Sequence, residues 1–236
     1  MNGKRIVLEG GVIVVSILLA FGIDAAWEEY KERREEQEIL SALKFEYEKN
    51  LESIREVIAF HERARDQIDK MVVRTEEQIR SLEPKILSEF ILGMCNPWSF
   101  DAILGTTDAL ISSGKLDILE DPELRIALTT FINLVQDATE DSDFMGWDAQ
   151  RVWVAEIDAG GPWTDPATEV GLKGDAIGAP RYLPSATADD VLRVIADQKL
   201  MGLIGRCHLN VGYYLSEIYL MRDQATLILG LIGDSQ

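Results

Sequence analysis

The chain has 236 residues, 41 acidic against 23 basic side chains, a net charge of −18 and a pI near 4.5. That balance excludes nucleic acid and anionic lipid surfaces as partners, because both are bound through basic patches. Two cysteines and two histidines leave little material for a disulfide framework, a metal site or acid–base chemistry.

The first element is an apolar stretch, Ile6 to Trp27. Gly10 to Ile23 carries no charge, and with its flanks the segment is 22 residues long, about 33 Å as a helix. That length suits a single membrane span. Glu9 and Asp24 fall near its two ends, where a carboxyl group reaches the headgroups, and Trp27 suits the interface. A cleavable signal peptide is the competing reading, with Met1 to Arg5 as a basic n-region and Ala20-Phe21-Gly22 as a cleavage site. Glu9 interrupts that h-region, and helical patterning runs through the cut, so a retained anchor is expected. Residues 1–5 form a short basic tail. The acids interleaved after the span favour the tail inside and the large C-terminal part outside the cytoplasm.

Glu9, Ile13, Ser16, Ala20, Asp24 and Trp27 are spaced by 3 or 4 and share one helical face. A stripe of small and polar residues is how membrane helices approach one another. It predicts self-association or docking on another membrane protein. The alternative is that the acids only mark the two interfaces.

From Asp24 to about Ser81 there is no proline or glycine, and strong helix formers dominate. Residues 28–81 are therefore expected as one long stalk and bundle helix. Glu28 to Glu38 is polar all round, as in a solvated stalk. A heptad-like stripe follows: Leu40, Leu43, Tyr47, Leu51, Ile54, Ile58, His61, Ala64, Ile68, Met71 and Val72. His61 on that stripe reads as a core or rim residue.

Pro84 is expected to end this helix and begin the remaining bundle, residues 82–236. A short amphipathic segment carries Ile86, Leu87, Phe90, Ile91 and Met94 on one side, and Asn96-Pro97-Trp98 breaks it. A second short helix is expected over Asp101 to Ile111, with Gly114 in the left-handed position after it. Asp121-Pro122-Glu123 then opens a helix running to about Ile157.

Residues 159–185 hold four prolines and five glycines and read as an irregular loop. Trp163 and Tyr182 are its candidate partner-binding residues; the same aromatics would equally pack an insertion over the bundle. Thr187 to Asp190 resembles a capping box opening the final helix. Its stripe is Ile204, Cys207, Val211, Tyr214, Ile218, Met221, Ala225, Ile228 and Ile232. Cys207 thus faces a core, and whether it pairs with Cys95 is open. The expectation is an all-α protein: an N-terminal transmembrane helix continuing into a long stalk helix, followed by an antiparallel helical bundle.

Two segments carry a family likeness. Leu8-Glu9-Gly10, then Leu19-Ala20-Phe21-Gly22-Ile23-Asp24-Ala25-Ala26-Trp27-Glu28-Glu29, resembles an acid-containing span with an Ala-x-x-Ile-Asn-x-Trp-x-Glu exit, Asp24 standing in the place of Asn. Thr107 to Leu116, with Ile118 and Leu124-Arg125, resembles a short helix followed by a Ser-Gly, Leu-x-x-Ile, Leu-Arg segment. Both are similar to a bacterial family of single-span membrane proteins known as a domain of unknown function. The resemblance implies an anchored helical domain in the bacterial inner (cytoplasmic) membrane and brings no catalytic residues.

No catalytic, metal or cofactor motif stands out, so a non-enzymatic, self-associating membrane-anchored interaction or scaffold protein is expected, with the lipid bilayer and a second copy as partners. One alternative is an extracytoplasmic sensor or ligand-binding bundle, its ligand near Ser112-Ser113-Gly114 or under the 159–185 loop. Another is an accessory subunit of an ion-driven membrane complex, using Glu9 and Asp24.

Overall fold

The proline-free run forms one continuous helix only as far as Val72. In a computed structural model, which describes residues 3–161 and 186–234 with side chains from Ser16 onward, α1 spans Gly3–Val72. Seventy residues make it about 105 Å long. From residue 16 to residue 35 it is exposed throughout; the first buried side chain is Leu40. Exposed pairs one turn apart, Arg33 to Glu29 (2.5 Å) and Arg34 to Glu38 (3.1 Å), support this free part, each worth a few tenths of a kcal/mol. Among the described residues, no helix is long and apolar enough to cross a membrane.

The helix stops nine residues before the expected Ser81. Thr75 starts a separate helix, α2 (Glu76–Arg80), with a reciprocal capping box: its hydroxyl accepts from the Gln78 amide while Gln78 accepts from the Thr75 amide. Capping satisfies amides that have no intrahelical partner, so Thr-x-x-Gln favours a new start over continuation. Val72 consequently leaves the stripe and is exposed, while Met71 is fully buried. Pro84, expected as a terminator, instead sits in the first turn of α3 (Pro84–Gly93), where its missing N–H costs nothing. Leu87, Phe90, Ile91 and Met94 are buried as the amphipathic pattern required.

Next come α4 (Gly105–Ser112) and a 3₁₀ turn at Leu116–Ile118. The α4 start falls later than Asp101: residues 96–104 have no regular structure, and their backbone bonds instead to the side chains of His61, Asn50 and Tyr214. Its end matches expectation: Gly114 has φ +68°, and the Lys115 amide reaches back to the Leu110 carbonyl, a Schellman closure. Helix α5 (Pro122–Asp158) begins with Asp121 capping the Glu123 amide. The single final helix foreseen is two: α6 (Ala188–Ala196) and α7 (Gln198–Asp234). Thr187 and Asp190 form the capping box of α6, and Asp197 then caps the Lys199 and Leu200 amides to restart the chain as α7.

Helices α5 and α7 run antiparallel, since Ala127 bonds Gln224 while Asp148 bonds Arg206. Helix α7 also lies antiparallel to α1, with Tyr219 on Glu62 and His208 facing Asp69 and Arg65. All nine residues of the α7 stripe, Ile204 to Ile232, are 3% exposed or less. Val57 and Phe60 join the α1 core beyond the stripe, because α1 packs against α3 as well as α7. Each such side chain contributes about 1.5–3 kcal/mol on burial. The protein is an all-α helical bundle; its described residues hold seven α-helices and no strand.

Candidate functional sites

On the face expected from the sequence to associate in a membrane, Glu9 and Ile13 belong to α1, their side chains lying outside those described. Ser16, Ala20, Asp24 and Trp27 are on the same continuous helix, all exposed. Helical spacing thus brings the six positions onto one face. The flanks of this face are apolar as well: Ile17, Leu18, Leu19, Phe21 and Ile23 are 49–71% exposed. A Cβ placed on Gly22 would meet nothing. A cylinder of exposed large aliphatic side chains needs an apolar cover. Below it Trp27 stacks on Tyr30 at 5.8 Å, with Lys31 over the Trp27 ring. Trp27 lies 13 residues from Leu40, so the stalk holds the bundle about 20 Å beyond the tryptophan.

Trp163 and Tyr182 lie outside the described residues. Ser112, Ser113 and Gly114 are exposed, and the Ser113 hydroxyl is spent on the Ala109 carbonyl at 2.6 Å. A groove lies elsewhere, between α5 and α7. It measures about 470 Å³ and is bordered by Trp147, Arg151, Val154, Asp158, Lys199 and Leu203. Trp147 meets Phe144 edge-on at 5.3 Å, and both are more than half exposed. These surface aromatics were not singled out from the sequence, although two tryptophans and a phenylalanine in one acidic helix were a visible signal.

Three buried polar residues, Glu46, Asn50 and Asp148, tie separate elements together. Glu46 is 4% exposed and accepts from the Thr106 amide (2.6 Å), the Thr107 amide (3.1 Å) and the Thr107 hydroxyl (2.6 Å). Its carboxylate therefore caps the first turn of α4, where the helix end attracts negative charge. Asn50 exchanges two 2.8 Å bonds with the backbone of Ile103. Asp148, 3% exposed, takes the Asn210 amide at 2.7 Å and the Arg206 guanidinium, joining α5 to α7.

Glu156 is a further buried polar residue, set apart by its lack of a partner: it is 9% exposed, and its Oε1 has no hydrogen-bond partner among the described residues. Burial pushes its carboxyl up to about 7; Arg193 opposes that rise and Asp190 reinforces it. Folded-state protonation of this group favours the fold below about pH 4.5 and loses that contribution as pH rises through about 7.

Cys95 and Cys207 form a disulfide across 112 residues, with Cα atoms 5.9 Å apart. Both are buried, and no free cysteine remains among the described residues. No cluster of three or more metal-ligating side chains occurs among the described residues.

No family model, no curated protein and no solved structure matches this chain.

Proposed function

We propose that this chain is a single-span membrane protein whose helical bundle stands outside the cytoplasm as a non-enzymatic interaction or scaffold module, self-associating through its membrane helix. The observation that carries this reading is the exposed aliphatic cylinder of α1 between Ile17 and Ile23, continuous with a polar stalk and separate from the core. Lipid covers such a surface without leaving a backbone polar group unsatisfied, because the helix bonds all of its own. Two further features agree. The Trp27–Tyr30 pair sits where the apolar segment meets the charged one, as aromatic rings do at an interface. The Cys95–Cys207 bond belongs to an oxidising compartment, which favours an exported bundle. The likeness of Leu19 to Glu29 to a single-span bacterial family points the same way and to the cytoplasmic membrane.

Self-association follows from the Glu9, Ile13, Ser16, Ala20, Asp24 and Trp27 face. Because the native cysteines are paired, an introduced cysteine reports cleanly. Ser16→Cys and Ala20→Cys are expected to give disulfide-linked dimers on oxidation in membranes. Leu18→Cys, about 200° around the helix from Ser16, is expected to give few. Equal crosslinking at all three positions, or none at Ser16 and Ala20, removes the interface.

The groove beside Trp147 supports a second reading, a ligand-binding bundle working with a membrane partner. Its volume lies in the range of small-molecule sites.

A further inference from the structure

Helix α7 is apolar on two opposite sides. Its core stripe, Ile204 to Ile232, is 3% exposed or less. Leu220 lies two residues from Ile218, about 200° around the helix, and a second stripe runs there: Leu209, Tyr213, Ser216, Leu220, Asp223 and Leu227, at steps of 4, 3, 4, 3 and 4. The four apolar members are 50–58% exposed. From Leu209 to Leu227 the stripe runs about 27 Å. One apolar side suffices to hold α7 in its bundle; a second, in heptad register, is the pattern of a helix that packs against a further helix. Phe144 of α5 is also exposed. It lies one turn from Asp148, which bonds Asn210, and so stands level with Tyr213.

The edge of this face along α5 is acidic. Partial burial, then the charges of Asp137 and Asp141 on α5, hold the Glu217 carboxyl above its ordinary value, and no cation enters that balance. Asp223, inside the stripe, is answered by its neighbour Arg222 at 2.9 Å. The face therefore combines a five-turn apolar track with an edge of unbalanced negative charge.

We propose that this outer face of α7 docks a basic amphipathic helix of another protein, its apolar side chains along Leu209, Tyr213, Leu220 and Leu227 and its flanking lysines or arginines on Glu217, Asp137 and Asp141. The apolar side of a helix laid on such a track is anchored at positions three or four residues apart. Charge decides between occupants. With 41 acidic against 23 basic side chains, a second copy would add the same acids to a face that already repels itself. A basic helix relieves that repulsion, and the pairing also sets its position along the track.

This inference rests on the reading of the bundle as an interaction module and gives that module a partner. Its test is separate from crosslinking at Ser16 and Ala20: if the crosslinks form and docking fails, the module stands and this face is not its site. The probe is a fluorescent 18-residue synthetic peptide with leucines at alternating steps of 3 and 4 and lysines on both flanks. It is titrated onto the full-length chain in a non-ionic detergent and followed by anisotropy. Saturable binding that weakens as salt is raised is expected. Leu220→Ser/Leu227→Ser, at half-exposed positions that leave the core intact, is expected to weaken it about tenfold or more. Asp137→Asn/Asp141→Asn/Glu217→Gln is expected to weaken it several-fold and to flatten its salt dependence. A scrambled peptide of the same composition keeps the charge without the stripe and is expected to bind at least tenfold more weakly. No binding, equal binding of the scrambled peptide, or undiminished binding to the serine variant overturns the proposal. A smaller oligomer in the serine variant, with no peptide bound by the unmodified chain, assigns the face to a second copy and overturns it too. Should the variants not fold, the comparison of the two peptides on the unmodified chain decides.

Discussion

Replacing Cys95 and Cys207 together by alanine is expected to cost the bundle about 2–5 kcal/mol of unfolding free energy. The bond joins residues 112 apart, and closing a loop of about 100 residues removes roughly 4.7 kcal/mol of freedom from the unfolded chain on the entropic account. The folded side changes less. Cys95 and Cys207 are 2% and 0% exposed, so alanine leaves a small void without an unpaired polar group. At about 2–4 °C per kcal/mol for a domain of this size, the melting temperature falls by about 4–20 °C. Circular dichroism melts of the two proteins measure it. A loss below about 1 kcal/mol would mean that the unfolded chain is already compact around this pair. Because both sulfurs are buried, reductant is expected to act on the folded protein slowly.

Glu46→Ala carries the second largest effect, about 3 kcal/mol, a typical charged-acceptor loss of 1.5–3 kcal/mol with a desolvated donor left behind. The substitution strands the Thr106 and Thr107 amides and the Thr107 hydroxyl. Thr107 is fully buried, so water does not readily replace the carboxylate. Its hydroxyl also lies 3.2 Å from the Tyr47 hydroxyl, which ties the loss to the α1 core. Glu46→Gln retains one acceptor oxygen and is expected to recover roughly half. Urea unfolding of the three proteins reads the order; an equal loss in both variants would show that charge, rather than the acceptor, matters.

These two features also show where sequence reading stops. The α7 stripe was legible because a long helix packed on one face prints its burial in its own periodicity, from Ile204 to Ile232. The capped starts at Asp121 and Thr187 were legible for the same reason: cap and capped amide lie within three residues. Glu46 and Asn50 were not, since their partners are 53–61 residues away and both read as ordinary polar helix residues. The disulfide was open because pairing depends on distance, not on spacing in the chain. Thr75 is a different case. Its Thr-x-x-Gln box lies inside an unbroken run of helix formers and was read as part of it; propensity says that helix is favoured, not where the chain must turn back to cover its own core. Asp197 was hidden likewise within a run that reads as one helix. Of the candidate membrane face, the spacing was legible and the exposed aliphatic flanks follow from it.

The central claim is that α1 begins in lipid and ends in the bundle. It is tested most directly by alkaline carbonate extraction of membranes from cells making the full chain, beside a version that starts at residue 28. The account predicts that the full chain stays in the membrane pellet and the shortened one is released in folded form, with its Cys95–Cys207 bond intact when exported. Release of the full chain into the supernatant would contradict it.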